Sequence, residues 1–345
     1  LDAQGTIHLV HSPLTLSFRP LDPDQVPQWA GLLAAIEAED HQQIHMTEQE
    51  LLEEFDDPDR DFPRGSVAVY HDAVMVGYGV LTCRSEADPV HNMYQEGGVH
   101  PAYRCVGIGS TLLEWAERAA VPLHQERFGG HPLALHGTCA TGNEPAVVLH
   151  ARHGYRQQRW FHLMRAEFAG QRTRGPVKPE NRTSGAQIAG YSAARSQDAL
   201  LVRNEAFRDH WGSTEDTPAT WAHITGSSAF RPSVSFLAYA GEGEPLGVVM
   251  SMEFDGDTAA TGVRELYIQT IGTRAVARNR GIATALLATA LTAAADAGFD
   301  RAALHVDADS PTGAVGLYER AGFSIVTTSV TMMKPMPESA HESRS

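Results

Sequence analysis

Arg278-Asn279-Arg280-Gly281-Ile282-Ala283 opens an apolar segment in the second half of the chain, and Arg104-Cys105-Val106-Gly107-Ile108-Gly109 opens one in the first. From 104 to 278 the offset is 174 residues, about half of the 345-residue chain. In each copy the Ile is followed four residues on by Leu-Leu: Ile108 with Leu112 and Leu113, Ile282 with Leu286 and Leu287. That spacing marks one face of an amphipathic helix, so the two halves read as copies of one domain. Small residues two apart, Gly107 with Gly109 and Gly281 with Ala283, let the backbone approach a ligand closely. The first turn of the helix they open presents unpaired N–H groups, and a pyrophosphate suits such a place.

The surroundings of the two turns also match. Each follows a strand-like segment, Val263 to Thr273 in the second half and Tyr94 to Val99 in the first. Each is followed by a further βα unit, ending in Leu317-Tyr318-Glu319-Arg320-Ala321-Gly322-Phe323 and Leu149-His150-Ala151-Arg152-His153-Gly154-Tyr155. Arg-x-x-Gly-x-Gly/Ala after a strand, then Leu-Tyr-x-x-x-Gly-Phe, resembles the GNAT acyltransferase superfamily; the first half has His150 where the second motif has its tyrosine. The resemblance runs from about Leu14 to Met336, the linker excepted. Asn204-Glu205-Ala206-Phe207-Arg208-Asp209-His210-Trp211-Gly212 followed by Trp221 resembles the tandem-domain branch that includes mycothiol synthase. The implied fold class is α/β: two tandem GNAT-like domains, each a mixed, mostly antiparallel sheet with flanking helices.

The polar, Gly- and Pro-punctuated run Gly170-Gln171-Arg172-Thr173-Arg174-Gly175-Pro176-Val177-Lys178-Pro179 suits a linker better than a core element. The expected division is therefore 1–169 for an N-terminal, degenerate domain, 170–184 for the linker, 185–337 for a C-terminal catalytic domain and 338–345 for a disordered tail. Helical stretches are expected over Val26 to Asp40 and Glu48 to Phe55, and hairpins around His71-Asp72 and Gly241 to Glu244.

Composition bounds the function. A chain this long, 42% hydrophobic, can bury two cores. The formal charge of −15 argues against nucleic acid, whose phosphates need a basic surface. It serves solubility, and carboxylates near a cleft would also attract a cationic amine. Cys83, Cys105 and Cys139 are an odd number without metal-ligand spacing and read as reduced thiols, as in a cytoplasm. No apolar run has the length of a membrane span, and Leu1 to His11 lacks the regions of a signal peptide. His41 and His45 stand one helical turn apart beside Asp40, but no third ligand is indicated, so no metal is expected.

The resemblance implies acetyl-CoA as cosubstrate and a primary amine on a small molecule as acceptor, in a monomer or homodimer without nucleic-acid or membrane partners. By the motif, backbone amides of Ile271, Gly272 and Thr273 receive the thioester carbonyl and pantetheine. Arg278, Asn279, Arg280, Gly281, Ile282, Ala283 and Thr284 hold the pyrophosphate. Tyr318 matches the tyrosine that protonates the departing thiolate; from spacing alone it reads equally as a core tyrosine. In the first half Val99, Arg104, Gly107 and Gly109 are the matching positions, and Val106 and His150 depart from the pattern, so weaker binding and doubtful catalysis are expected there. Alternation along the strand puts Glu265, Tyr267, Gln269, Ile271 and Thr273 on one face, which makes Glu265 the candidate base; the branch's own base position falls nearer Tyr267. Asp209, His210 and Trp211 are expected beside the acceptor, with Tyr267. Asp307 and Asp309 read as solvated loop acids near the mouth of the cofactor channel. A non-catalytic CoA-binding sensor or scaffold is the alternative function.

Overall fold

The computed structural model describes residues 6–8, 15–87, 89–168, 185–208, 210–241, 243–310 and 313–337. In chain order these form β1 (Thr6–His8), β2 (Thr15–Arg19), α1 (Val26–Asp40), α2 (Glu48–Glu53), α3 (Phe62–Gly65), β3 (Ser66–His71), β4 (Val74–Cys83), β5 (His91–Val99), α4 (Ile108–Phe128), β6 (Leu133–Ala140), α5 (Glu144–Arg152) and β7 (Arg156–Glu167). The second half adds β8 (Gln187–Gly190), α6 (Ser196–Phe207), α7 (Pro218–Gly226), β9 (Phe236–Tyr239), β10 (Pro245–Met252), α8 (Asp255–Thr261), β11 (Glu265–Thr273), α9 (Ile282–Asp296), β12 (Arg301–Asp307), α10 (Ala314–Arg320) and β13 (Ser324–Pro335).

The residues gather into two compact units. The first comprises Leu1–Gln43, Leu51–Gln158 and Val330–Ser345; the second comprises Ile44–Glu50 and Arg159–Ser329. Compared with a division at 1–169 and 185–337, most of β7 goes to the second unit and the end of β13 to the first. The expected linker and tail lie outside the described residues.

In the second unit β8, β9, β10 and β11 are antiparallel neighbours, β11 and β12 are parallel, and β7 closes the row antiparallel to β12, from Glu167 opposite Arg301 to Phe161 opposite Asp307. The first unit repeats the pattern: β1 to β5 antiparallel, β5 and β6 parallel, and the end of β13 beside β6, where the Met336 N–H donates to the Leu133 carbonyl at 2.8 Å. The parallel pair needs a helical crossover, which α9 and α4 supply.

Alternation gives the second unit's sheet two apolar faces. One carries Leu266, Ile268 and Leu304 against Ile282, Leu286 and Leu287 of α9 and Tyr318 of α10. The other carries Val248, Met250 and Met252, with Tyr267 packed alongside, against Val202 of α6 and Trp221 of α7. Helix α9 forms readily: it is rich in Ala and Leu, and its buried residues Ile282, Ala285, Leu286, Ala290 and Ala294 recur at three- and four-residue steps. Leu286 and Leu287, 0% and 1% exposed, contribute about 1.5–3 kcal/mol each by burial. Gly298, at φ 83°, ends the helix, with the Phe299 N–H donating to the Ala294 carbonyl at 3.0 Å.

Candidate active site

The second unit's sheet is irregular where the sequence motif begins. Between β10 and β11 the register shifts: Thr270 pairs with Met250 and Ile268 with Ser251, leaving Gln269 as the extra residue of a β-bulge. On its other side, β11 pairs with β12 only from Glu265–Arg301 to Tyr267–Ala303. From Ile268 onward β11 has β10 alone as a neighbour among the described strands. Its remaining backbone groups on the β12 side face an opening between the two strands.

The bulge also corrects the expected shared face. Tyr267 packs in the cluster of α6 and α7, whereas Ile271 packs in the cluster of α9 and α10. One extra residue exchanges the two sides of a strand, so Ile271 and Thr273 do not lie on the side of Tyr267. Gly272 takes that side instead. A Cβ there would stand 2.8 Å from Ala206 Cβ and 3.0 Å from the Phe207 ring, so the C-terminal end of α6 seats directly on the strand.

The turn that follows is built for close approach. Asn279 and Gly281 adopt left-handed conformations, φ 63° and 78°, and Gly281 is the N-cap of α9. The first intrahelical bond at this end runs from the Ala285 N–H to the Gly281 carbonyl, 3.0 Å. No cap side chain serves the amides of Ile282, Ala283 and Thr284, which point out of the helix end with the positive end of its dipole. The Arg278 side chain donates to the Ala206 carbonyl at 3.0 Å, tying the turn to α6. At Gly247 a Cβ would lie 2.8 Å from Ile282 and 2.9 Å from Leu286, so α9 rests directly on β10. Bulge, opening and helix end thus fit a thioester with a pyrophosphate further along the same molecule.

Tyr318 is 7% exposed, and burial pushes its pKa up to about 12. Its hydroxyl has no hydrogen-bond partner among the described residues, and its ring packs beside Phe323, centroids 6.0 Å apart.

On the Tyr267 side of the sheet, polar groups pair closely. Glu265 accepts from Arg165 Nε at 2.6 Å and is also paired with Arg301. The Tyr267 hydroxyl lies 2.9 Å from His305 Nδ1. Burial, with the Glu265 charge adding, pushes Tyr267 up to about 12, whereas the protein packed around His305 and the Arg165 charge hold the imidazole below its usual pKa. Asp307 is not the solvated acid expected from the sequence: it is 8% exposed and held by Arg159, Nη2 to Oδ2 2.8 Å. Trp211 faces Phe161 of β7, ring centroids 6.5 Å apart, and His210 lies against Phe207 at 4.9 Å. Asp209 lies outside the described residues. Trp221 is a core residue whose indole N–H donates to Ser196 Oγ at 2.9 Å. Arg159, Arg165 and His305 escaped the motif reading. Only the alternation of Arg301, Ala303, His305 and Asp307 along β12 hinted at a common face for His305.

The first unit keeps the turn without the opening. Cys105 and Gly107 repeat the left-handed pair, φ 63° and 100°. Yet β5 pairs with β4 in unbroken register from Met93–Cys83 to Val99–Gly77, and with β6 as far as Gln95–Gly137. The His150 ring fills the ground beside the last pair: a Cβ on Gly137 would lie 2.7 Å from its Nε2. Its Nδ1 is 2.9 Å from the Ala146 carbonyl. Arg104 makes two bonds to Asp40, 2.7 and 2.9 Å, and a third to the Val99 carbonyl; Gly109 leaves room for Leu149. His45 bonds to Asp257 at 2.9 Å, and among the described residues no group of three or more His, Cys, Asp or Glu is placed to hold a metal. No described helix is long and apolar enough to cross a membrane.

Comparison with known proteins agrees with this geometry. Residues 200–323 match the acetyltransferase (GNAT) family and residues 63–157 an acetyltransferase (GNAT) domain. A mycothiol acetyltransferase of Salinispora arenicola is 30% identical over 260 residues, 73% of this chain and 76% of that protein. One of Clavibacter sepedonicus is 29% identical over 227 residues, 65% and 67% of the two chains. The solved GCN5-related N-acetyltransferase of Sphaerobacter thermophilus superposes with a TM-score of 0.72 at 23% identity, over 93% of this chain and 96% of that one. A tandem GNAT protein from the clavulanic acid biosynthesis pathway does so with a TM-score of 0.67 at 12% identity, over 94% and 99%. With a family match in each half and a relative of this identity over most of both chains, the chain belongs to the GNAT acetyltransferases, as a protein with two such domains in tandem.

Proposed function

We propose that the second unit transfers an acetyl group from acetyl-CoA to a primary amine of a small polar metabolite, by direct attack with both substrates bound together. The observation that carries this reading is the bulge at Gln269 beside a β11–β12 pairing that stops at Tyr267, a combination the first unit lacks. Bound acetyl-CoA supplies an acyl group already activated by a sulfur leaving group. The protein's task is then to position, polarise and move protons. The amides of Ile271, Gly272 and Thr273 lie beyond the bulge, where they serve the carbonyl and the pantetheine. The amides of Ile282, Ala283 and Thr284 hold pyrophosphate at the start of α9. Tyr318 keeps its proton at neutral pH and offers it where the sulfur leaves.

Glu265, held between Arg165 and Arg301, serves in this reading to fix the strand end and balance two guanidinium charges rather than to accept a proton. The acceptor meets paired ions, the Tyr267–His305 pair and the Trp211 and Phe161 rings, which together suit a hydroxylated, amine-bearing molecule. The relatives' name makes a mycothiol precursor one member of that class, beside amino sugars and antibiotics.

The test compares Gly281→Glu with Gly107→Glu. A carboxylate at Gly281 opposes the pyrophosphate and strains a left-handed position, so acetyl-CoA binding by calorimetry and CoA release with a panel of amines should both be lost. The Gly107 variant should retain both. Loss of turnover in the Gly107 variant alone would move the active site to the first unit, and tight binding with no turnover on any amine would favour a CoA sensor.

A further inference from the structure

We propose that His305 is the general base of the second unit, taking the proton from the acceptor amine while Tyr267 holds its ring. The inference rests on the acetyl-transfer reading and adds the missing proton acceptor to the same site.

Placement carries the argument. The β11–β12 pairing ends at Tyr267–Ala303, and His305 is the next residue of β12 on the side of Ala303. Its side chain is therefore the first on that side beyond the point where the strands part. The Tyr267 hydroxyl 2.9 Å from Nδ1 fixes the ring, and Nε2, on the opposite edge of an exposed side chain, has no partner among the described residues. Glu265, the other candidate, is occupied by Arg165 and Arg301.

The first unit supplies a comparison within the same molecule. Counting along both pairings, Met93–Leu135 occupies the place of Tyr267–Ala303, so Gly137 occupies the place of His305. No side chain projects from β6 there, and the His150 ring covers the site. An imidazole at this position therefore occurs only where the strands part.

The charge environment suits a base that is free at neutral pH. Arg159 and Arg165 of β7, Glu265 and Tyr267 of β11, and Arg301 and Asp307 of β12 are the ionisable groups on this part of the sheet. Packing and Arg165 hold the imidazole neutral; Glu265 pulls the other way, shared between its two arginines. In the step, the amine lone pair forms the N–C bond to the thioester carbonyl carbon. The C–S bond breaks with its electron pair on sulfur. His305 Nε2 takes the N–H proton, and the sulfur takes the proton of Tyr318. One proton then passes from His305 to water and one returns from water to Tyr318, so amine and thioester give amide and thiol.

The test uses the full chain with its best amine from the panel. His305→Gln should lower kcat by about two orders of magnitude or more while leaving acetyl-CoA affinity by calorimetry and the unfolding midpoint unchanged. The wild-type rate should fall on the acid side with the pKa at which the His305 ring titrates by NMR. The His305→Gln rate should instead rise steadily with pH, and added imidazole should partly restore His305→Ala. Tyr267→Phe should shift the ring's titration and lower kcat without changing acetyl-CoA affinity. An active wild type beside a His305→Gln variant within about threefold of it, with the same acid limb, overturns this proposal alone. A His305 ring protonated at neutral pH overturns it as well. A wild type that acetylates no amine overturns the acetyl-transfer reading and this proposal with it.

Discussion

Tyr318 is both a core residue and the residue placed to protonate the leaving sulfur, and the two roles separate when only its oxygen is removed. Tyr318→Phe keeps the ring against Phe323 and deletes the hydroxyl. Unfolding midpoint and acetyl-CoA affinity should stay near wild type while turnover falls by about one to two orders of magnitude, the low end for general acid catalysis because thiolates leave readily. Equal turnover would return Tyr318 to packing alone. At this scale the sequence was legible where function resides in local backbone: the Arg278 to Thr284 turn is a short motif, and its left-handed residues Asn279 and Gly281 lie within it. His305 was not legible, because its place depends on where two strands 38 residues apart in sequence stop pairing. Asp307 was misread for a related reason, since its partner Arg159 lies 148 residues away.

Among the elements, β11 determines how the site is arranged. Alternation predicted one face for Glu265 through Thr273, and the extra residue at Gln269 divides that face in two. Period-two reasoning has no means of detecting a bulge, which inserts a residue without changing the apolar content of the strand. The bulge brings Gly272 beneath the end of α6, where a Cβ already has Ala206 and Phe207 within 2.8 and 3.0 Å. Gly272→Val should therefore push α6 off the strand, at a cost of about 1–3 kcal/mol in chemical denaturation. Because α6 also receives the Arg278 side chain, acetyl-CoA affinity should fall in the same variant, measured by calorimetry at a temperature where it is still folded.

For the whole molecule, repeat and fold class were readable from the sequence, but the composition of each compact unit was not. Strands β7 and β13 each run 12 residues and look alike as patterns; only the partner that each finds assigns it to a unit. Val330 and Met332, each 1% exposed, complete a core with Leu81, Met93 and Leu135. Met332→Ala should cost the first unit about 2–5 kcal/mol, as for a buried methionine, even though the residue lies near the far end of the sequence. Hydrogen exchange should show the lost protection at β5 and β6, with the amides of β10 and β11 little changed.

That placement of Val330 to Pro335 also bears on how the protein is made. Domains generally fold as they leave the ribosome, the N-terminal one first. Here β6 emerges some 190 residues before the strand that lies beside it, so the first unit waits, unfinished, while the second is translated. The nascent chain carries an open strand edge for most of its synthesis, a place where chaperones would bind and where slow translation would favour aggregation.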